Sequence, residues 1–143
     1  MKRFEFRLAR VRDFRRQQLE VEEAKLEVLR AERQQLEAES LRLKNEAAGT
    51  RNALMATRSV EAQELVAADH YLHYLAEEEK RQAARIADWQ QRTAKQQQAM
   101  LEARRRVRLL EKLEEKQVRL WKAEVDREQE NLSAELYLAR WKK

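Results

Sequence analysis

Residues 75–121 read LAEEEKRQAARIADWQQRTAKQQQAMLEARRRVRLLEKLEEKQVRLW, 47 positions without a glycine or a proline. Alternating steps of four and three pick out Leu75, Glu79, Gln82, Ile86, Trp89, Thr93, Gln96, Met100, Ala103, Val107, Leu110, Glu114, Gln117 and Trp121. Eight of these fourteen positions are apolar. A stripe that repeats every 3.5 residues is the mark of a helix pairing along a left-handed coiled-coil seam. The polar positions interrupt it often, so the expected pairing is imperfect and only modestly stable.

The first half carries the same spacing. Leu8, Arg12, Arg15, Leu19, Glu22, Leu26, Leu29, Arg33, Leu36, Ser40, Leu43, Ala47, Thr50 and Leu54 follow one another, again eight apolar in fourteen. Between the stripes lies the one glycine, Gly49, with Thr50, Asn52, Thr57 and Ser59 clustered after it. The reading is a first arm over about 4–57, a bend over about 57–64 and a second arm over about 62–140. Thr57 or Ser59 is placed to cap the second arm. Asp69 marks a second weak point where a helix could restart. Two stripes on one chain are satisfied if it folds back on itself, so the expected fold is all-α: a single two-helix antiparallel coiled-coil hairpin. A first arm of about 54 residues would be roughly 80 Å long, and the longer second arm must overhang or break.

Composition agrees. The chain has 143 residues, of which 21 Ala, 19 Leu, 22 Glu and 31 Lys plus Arg fill 93. That is well above the roughly one-half that marks long helices. Turn residues and β-branched runs are scarce, which excludes sheet architectures. With aromatics at 6% and charged residues at 40%, a thin seam is what the chain can bury. There is no cysteine, hence no disulfide or thiolate chemistry. No apolar run approaches the ~20 residues of a membrane span, and Met1–Arg7 does not read as a signal peptide. The expected address is cytoplasmic.

Charge is uneven. Residues 1–16 carry net +5 and residues 50–79 net −4, so the open end is basic and the bend acidic. Unlike ends suggest unlike partners. Catalysis finds no support: His70 and His73 are only two ligands, one glycine cannot build a phosphate loop, and no cofactor is expected. Arg104-Arg105-Arg106-Val107-Arg108 could grip phosphate, but Glu111, Glu114 and Glu115 follow at once, so nucleic acid is not the expected partner. A lipid surface for the Phe4–Phe14 region ranks below a protein partner. Tyr71-Leu72-His73-Tyr74-Leu75 puts apolar groups on more than one helical face, as either a docking patch or a local core under the bend. Trp89 and Trp121 fit the seam; Trp141 suggests a contact.

Phe4-Glu5-Phe6-Arg7-Leu8-Ala9-Arg10-Val11 resembles the F-x-F-R-L-x-x-V opening of the FliJ family of flagellar protein export. Leu110-Glu111-Lys112-Leu113, followed by Glu128-Gln129-Glu130-Asn131-Leu132, is similar to the family's C-terminal L-E-K-L and E-Q-x-x-L pattern. The resemblance spans essentially the whole chain. It implies a non-enzymatic stalk, like that of rotary ATPases, associated peripherally with the inner-membrane export apparatus. The implied partners are the hexameric export ATPase, its regulator, the export gate's cytoplasmic domain and export chaperones. It assigns ATPase contact to Arg7, Arg10, Gln129 and Leu132, and gate contact to Leu41, Tyr71 and Leu75. Lys44, Ala48 and Glu78 depart from the family's gate pattern. The alternatives are an injectisome stalk and a generic homodimeric coiled-coil scaffold.

Overall fold

The computed structural model of the protein describes residues 2–142. Two helices account for nearly all of it: α1, Ala9–Ala56, and α2, Ala62–Trp141. They pack against each other as an antiparallel hairpin. Contacts divide the chain into two compact units, Glu22–Ala99 around the bend and Met1–Val21 with Met100–Lys143 at the termini.

Both stripes form the seam. All fourteen α2 positions from Leu75 to Trp121 are buried or half-buried, and twelve of the fourteen in the first half. The exceptions are Leu8, which lies before α1, and Arg33, whose neighbour Glu32 turns inward instead. In the bend unit the tightest packing is Leu43 and Ala47 against Leu75, with Leu72 beside them.

The polar seam positions are where sequence reasoning falls short. Gln82 Nε2 donates to the backbone carbonyl of Leu36 at 2.9 Å, Trp89 Nε1 to that of Leu29 at 2.8 Å, and Gln96 Nε2 to that of Glu22 at 3.0 Å. The donors are seven residues apart and so are the acceptors, in opposite directions. A helix carbonyl has a second lone pair free after its intrahelical bond, so it can take such a donor without breaking the helix. These residues are not flaws in the pairing: their N–H groups are satisfied across the seam and join the two helices. One seam group stays unsatisfied among the described residues, the buried Thr93 hydroxyl.

The break differs from expectation in three details. α1 starts at Ala9, not near Phe4, because residues 2–6 run back against α2 (below). Gly49 lies inside α1, as in the expected first arm, with an ordinary backbone and nothing within 4 Å of where a Cβ would stand. Thr57 does not cap α2: its hydroxyl donates to the Ala53 carbonyl at 2.6 Å, satisfying an acceptor at the end of α1. α2 starts after Glu61, whose carbonyl accepts from Leu65 at 3.0 Å, and runs through Asp69 without restarting. The longer arm is unbroken; from Asp126 to Trp141 every residue of α2 is exposed.

Gly49→Ala should therefore raise stability by about 0.5–1 kcal/mol, read as a higher chemical-denaturation midpoint, because it removes backbone entropy at an open helical site. With paired cysteines in this cysteine-free chain, Arg92→Cys should cross-link to Glu32→Cys and not to Lys25→Cys or Glu39→Cys, one heptad away.

Candidate functional site

In the terminal unit, the opening segment forms a clasp. The Phe4 and Trp121 rings lie 6.0 Å apart at 53°, and Trp121 Nε1 donates to the Lys2 carbonyl at 3.1 Å. Phe6 is buried, its carbonyl accepts from Ala9 at the start of α1 at 3.1 Å, and the Arg12 guanidinium lies 5.9 Å above its ring. Phe4 and Phe6 alternate with charged residues, a pattern that suits an extended strip better than a helix turn.

Arg12 explains the charged seam positions. Its Nη1 donates to both carboxylate oxygens of Glu114 at 2.5 Å, one seam position answering another. That bond pushes the Arg12 guanidinium further up, so it stays charged. Beside the seam, Arg16 pairs with Glu111 at 3.2 Å. Arg7 and Arg10 are exposed at the base of this unit. Gln129 and Leu132 are exposed on the unpaired tail of α2, which also bears Leu136, Tyr137, Leu138 and Trp141. The Tyr137 and Trp141 rings are 6.1 Å apart. Sequence reasoning missed the clasp; the overhanging tail is one of the two outcomes expected for the longer second arm.

In the bend unit the aromatic cluster divides. Leu72 and Leu75 go into the core, and Leu75, 1% exposed, is the most buried side chain described. Tyr71 (40% exposed) and Tyr74 (58%) stay outside with rings 6.3 Å apart, and Leu41 is 59% exposed on α1. Both readings of the cluster hold, on different faces. The suggested contact pair Tyr71 and Leu75 is therefore split. Tyr71 is available to a partner; Leu75 is a core residue that positions it. The Tyr71 hydroxyl donates to Glu46, and this bond pushes the phenol up. His73 Nδ1 lies 2.9 Å from the Asp69 carbonyl, within one helix turn. Among the described residues no three metal-binding side chains converge.

Charge pairs between and within the helices accompany these contacts. Arg92 holds Glu32 below the usual carboxylate range, and Glu32 with Asp88 pushes Arg92 up. The Gln96 amide, with Lys25, lowers Glu22, and Arg42 lowers Glu39.

A helical hairpin with a polar-locked seam, an aromatic clasp at its termini and exposed rings near its bend belongs to the coiled-coil proteins that work by contact. The family model described as "Flagellar FliJ protein" matches residues 4–142. The chain belongs to the flagellar FliJ family, a non-enzymatic component of the flagellar protein export apparatus. Neither a curated protein nor a solved structure matches it. No described helix is long and apolar enough to cross a membrane.

The pH dependence follows from the lowered carboxylates. Glu22, Glu32 and Glu39 titrate lower folded than unfolded, so the unfolded chain takes up their protons first as pH falls. Their stabilisation is complete above the unfolded value of about 4.5 and is lost as pH drops through the lower folded values. The thermal midpoint by circular dichroism should be steady from about pH 7 to 5 and fall below about pH 4.5; Glu32→Gln should flatten that fall.

Proposed function

We propose that the chain is the stalk of the flagellar export ATPase complex, on the cytoplasmic side of the inner membrane. The terminal unit enters the pore of the hexameric ATPase, and the bend meets the cytoplasmic domain of the export gate. The ATPase regulator binds the same complex, and unladen export chaperones are escorted to it. The observation that carries this reading is the chemistry of the terminal unit. It offers exposed Arg7 and Arg10 beside a clasped N-terminus, and an unpaired helical tail with Leu132 and Gln129 outward. Cations suit acidic pore groups, and an apolar tail suits a pore wall. The bend supplies a contrasting surface: acidic overall, with Tyr71 and Leu41 exposed.

The mechanism rests on symmetry. A two-helix stalk has unlike faces and cannot touch six subunits of a ring equivalently. It changes ATPase activity only through different affinities for different ring states. Contact with one set of subunits biases which sites close, and the stalk acts without chemistry of its own.

Deleting residues 1–10 or 130–143 should abolish stimulation of the purified export ATPase while far-UV circular dichroism stays helical. Full stimulation by both truncations would refute the terminal contact. Leu41→Ala with Tyr71→Ala should weaken pull-down by the gate's cytoplasmic domain several-fold and leave ATPase stimulation intact. Leu75→Ala is unsuitable as a contact probe, because truncating a buried leucine costs about 2–5 kcal/mol and would perturb the hairpin itself.

A further inference from the structure

In the bend unit the exposed tyrosines of α2 are held from α1. Glu39, Arg42 and Glu46 follow one another at steps of three and four, so they share one side of α1. Arg42 donates from Nε and Nη2 to the two oxygens of Glu39 at 3.0 and 2.6 Å, and from Nη1 to Glu46 Oε1 at 2.9 Å. The other Glu46 oxygen, Oε2, accepts from the Tyr71 hydroxyl across the interface. The two oxygens of one half-buried carboxylate are thus divided: the guanidinium of its own helix fixes one, and the phenol of the facing helix takes the other. Tyr74 has no hydrogen-bond partner among the described residues; it is held by stacking on Tyr71, with ring planes 23° apart.

We propose that Glu46, steadied by Arg42, is a positioning residue for the contact made at the bend: it sets the Tyr71 ring, and through it Tyr74, in the orientation that the partner meets. The inference rests on the reading that the bend meets the export gate, and adds to it what prepares the tyrosines for that contact. A tyrosine on an exposed helix face has several side-chain rotamers open to it, and a partner that needs one of them loses affinity to the ordering. A hydrogen bond from a phenol to an ionised carboxylate is stronger than one between neutral groups. Made to the opposite helix, it selects the rotamer that turns the hydroxyl toward α1. Tyr71 keeps 40% of its surface exposed in that position, so the bond fixes the ring without hiding it. The bond also occupies the hydroxyl. What remains for a partner is the ring itself beside the Tyr74 ring, an aromatic plate that suits apolar side chains. Because Glu46 and Tyr71 both retain contact with water, the bond contributes modestly, and its loss should weaken the contact without abolishing it.

The test is calorimetric titration of the full-length protein with the purified cytoplasmic domain of the gate. Tyr71→Phe, which keeps the ring and loses the bond, and Glu46→Ala should each weaken binding about two- to tenfold. The double variant should bind no more weakly than either alone, because both remove the same bond. Glu46→Gln, whose amide oxygen can still accept the phenol proton, should keep most of the affinity. Without any partner, NMR of tyrosine-labelled protein should show the Tyr71 phenol titrating lower in Glu46→Ala than in the parent, since the bond to Glu46 is what pushes it up. Circular dichroism should show parent helicity throughout. The proposal is overturned, and the bend reading stands, if Tyr71→Ala weakens binding while Glu46→Ala does not, or if the effects of Glu46→Ala and Tyr71→Phe add. It is overturned equally if Glu46→Gln loses as much as Glu46→Ala, which would mean that the partner reads the charge of Glu46 directly. An unchanged Tyr71 titration in Glu46→Ala has the same consequence. If the parent does not bind the gate domain, or Tyr71→Ala binds as the parent does, the proposal and the bend reading fall together.

Discussion

Three side-chain N–H groups bonded to three carbonyls of the facing helix tie the two arms of the bend unit together. Gln82, Trp89 and Gln96 reach Leu36, Leu29 and Glu22, each pair one heptad from the next. An apolar seam of eight in fourteen cannot specify register alone, because sliding by a heptad brings similar side chains together. Carbonyls repeat along the helix as the donors do, so these bonds join the helices without choosing among heptad registers; a one-heptad slide would instead part Arg92 from Glu32 and the Gln96 amide from the Glu22 carboxylate. In the terminal unit such a slide would likewise part Arg12 from Glu114.

A seam this thin leaves most of each helix facing solvent, and that shapes what the protein can do. There is no deep core in which to bury and perturb a catalytic group. What it offers is long, chemically distinct surface: a clasped basic opening segment, an unpaired helical tail and a pair of tyrosines outside the bend. Membership of the FliJ family places that surface in the flagellar export apparatus. The placement of Leu75 shows how core and surface cooperate. By sinking between Leu43 and Ala47 it orients the turn of α2 that presents Tyr71.

Much of the fold was legible in the residues. The 3-4 stripes named the seam almost position by position, since a side chain's place on a helix is set by 100° per residue regardless of what packs against it. The scarcity of turn residues announced two long helices. Gly49 lay inside the expected first arm, and strong helix formers on either side carry the helix through it. Thr57 misled, because its hydroxyl can serve the helix before it or the one after it, and only the position of the Ala53 carbonyl decides. For the candidate site, the exposure of Arg7, Arg10, Leu41 and Leu132 followed from their places off the stripes, whereas Leu75 sat on the stripe and its burial was implicit there.

Sequence alone determined the two helices, their shared period and the uneven charge, because these are local properties of spacing and composition. Tertiary structure decided the partners: which carbonyl each seam donor meets, and that Phe4 packs against Trp121 in place of extending α1. Those depend on atoms separated by dozens of residues along the chain, and no periodicity within one helix can report which turn of the other lies opposite.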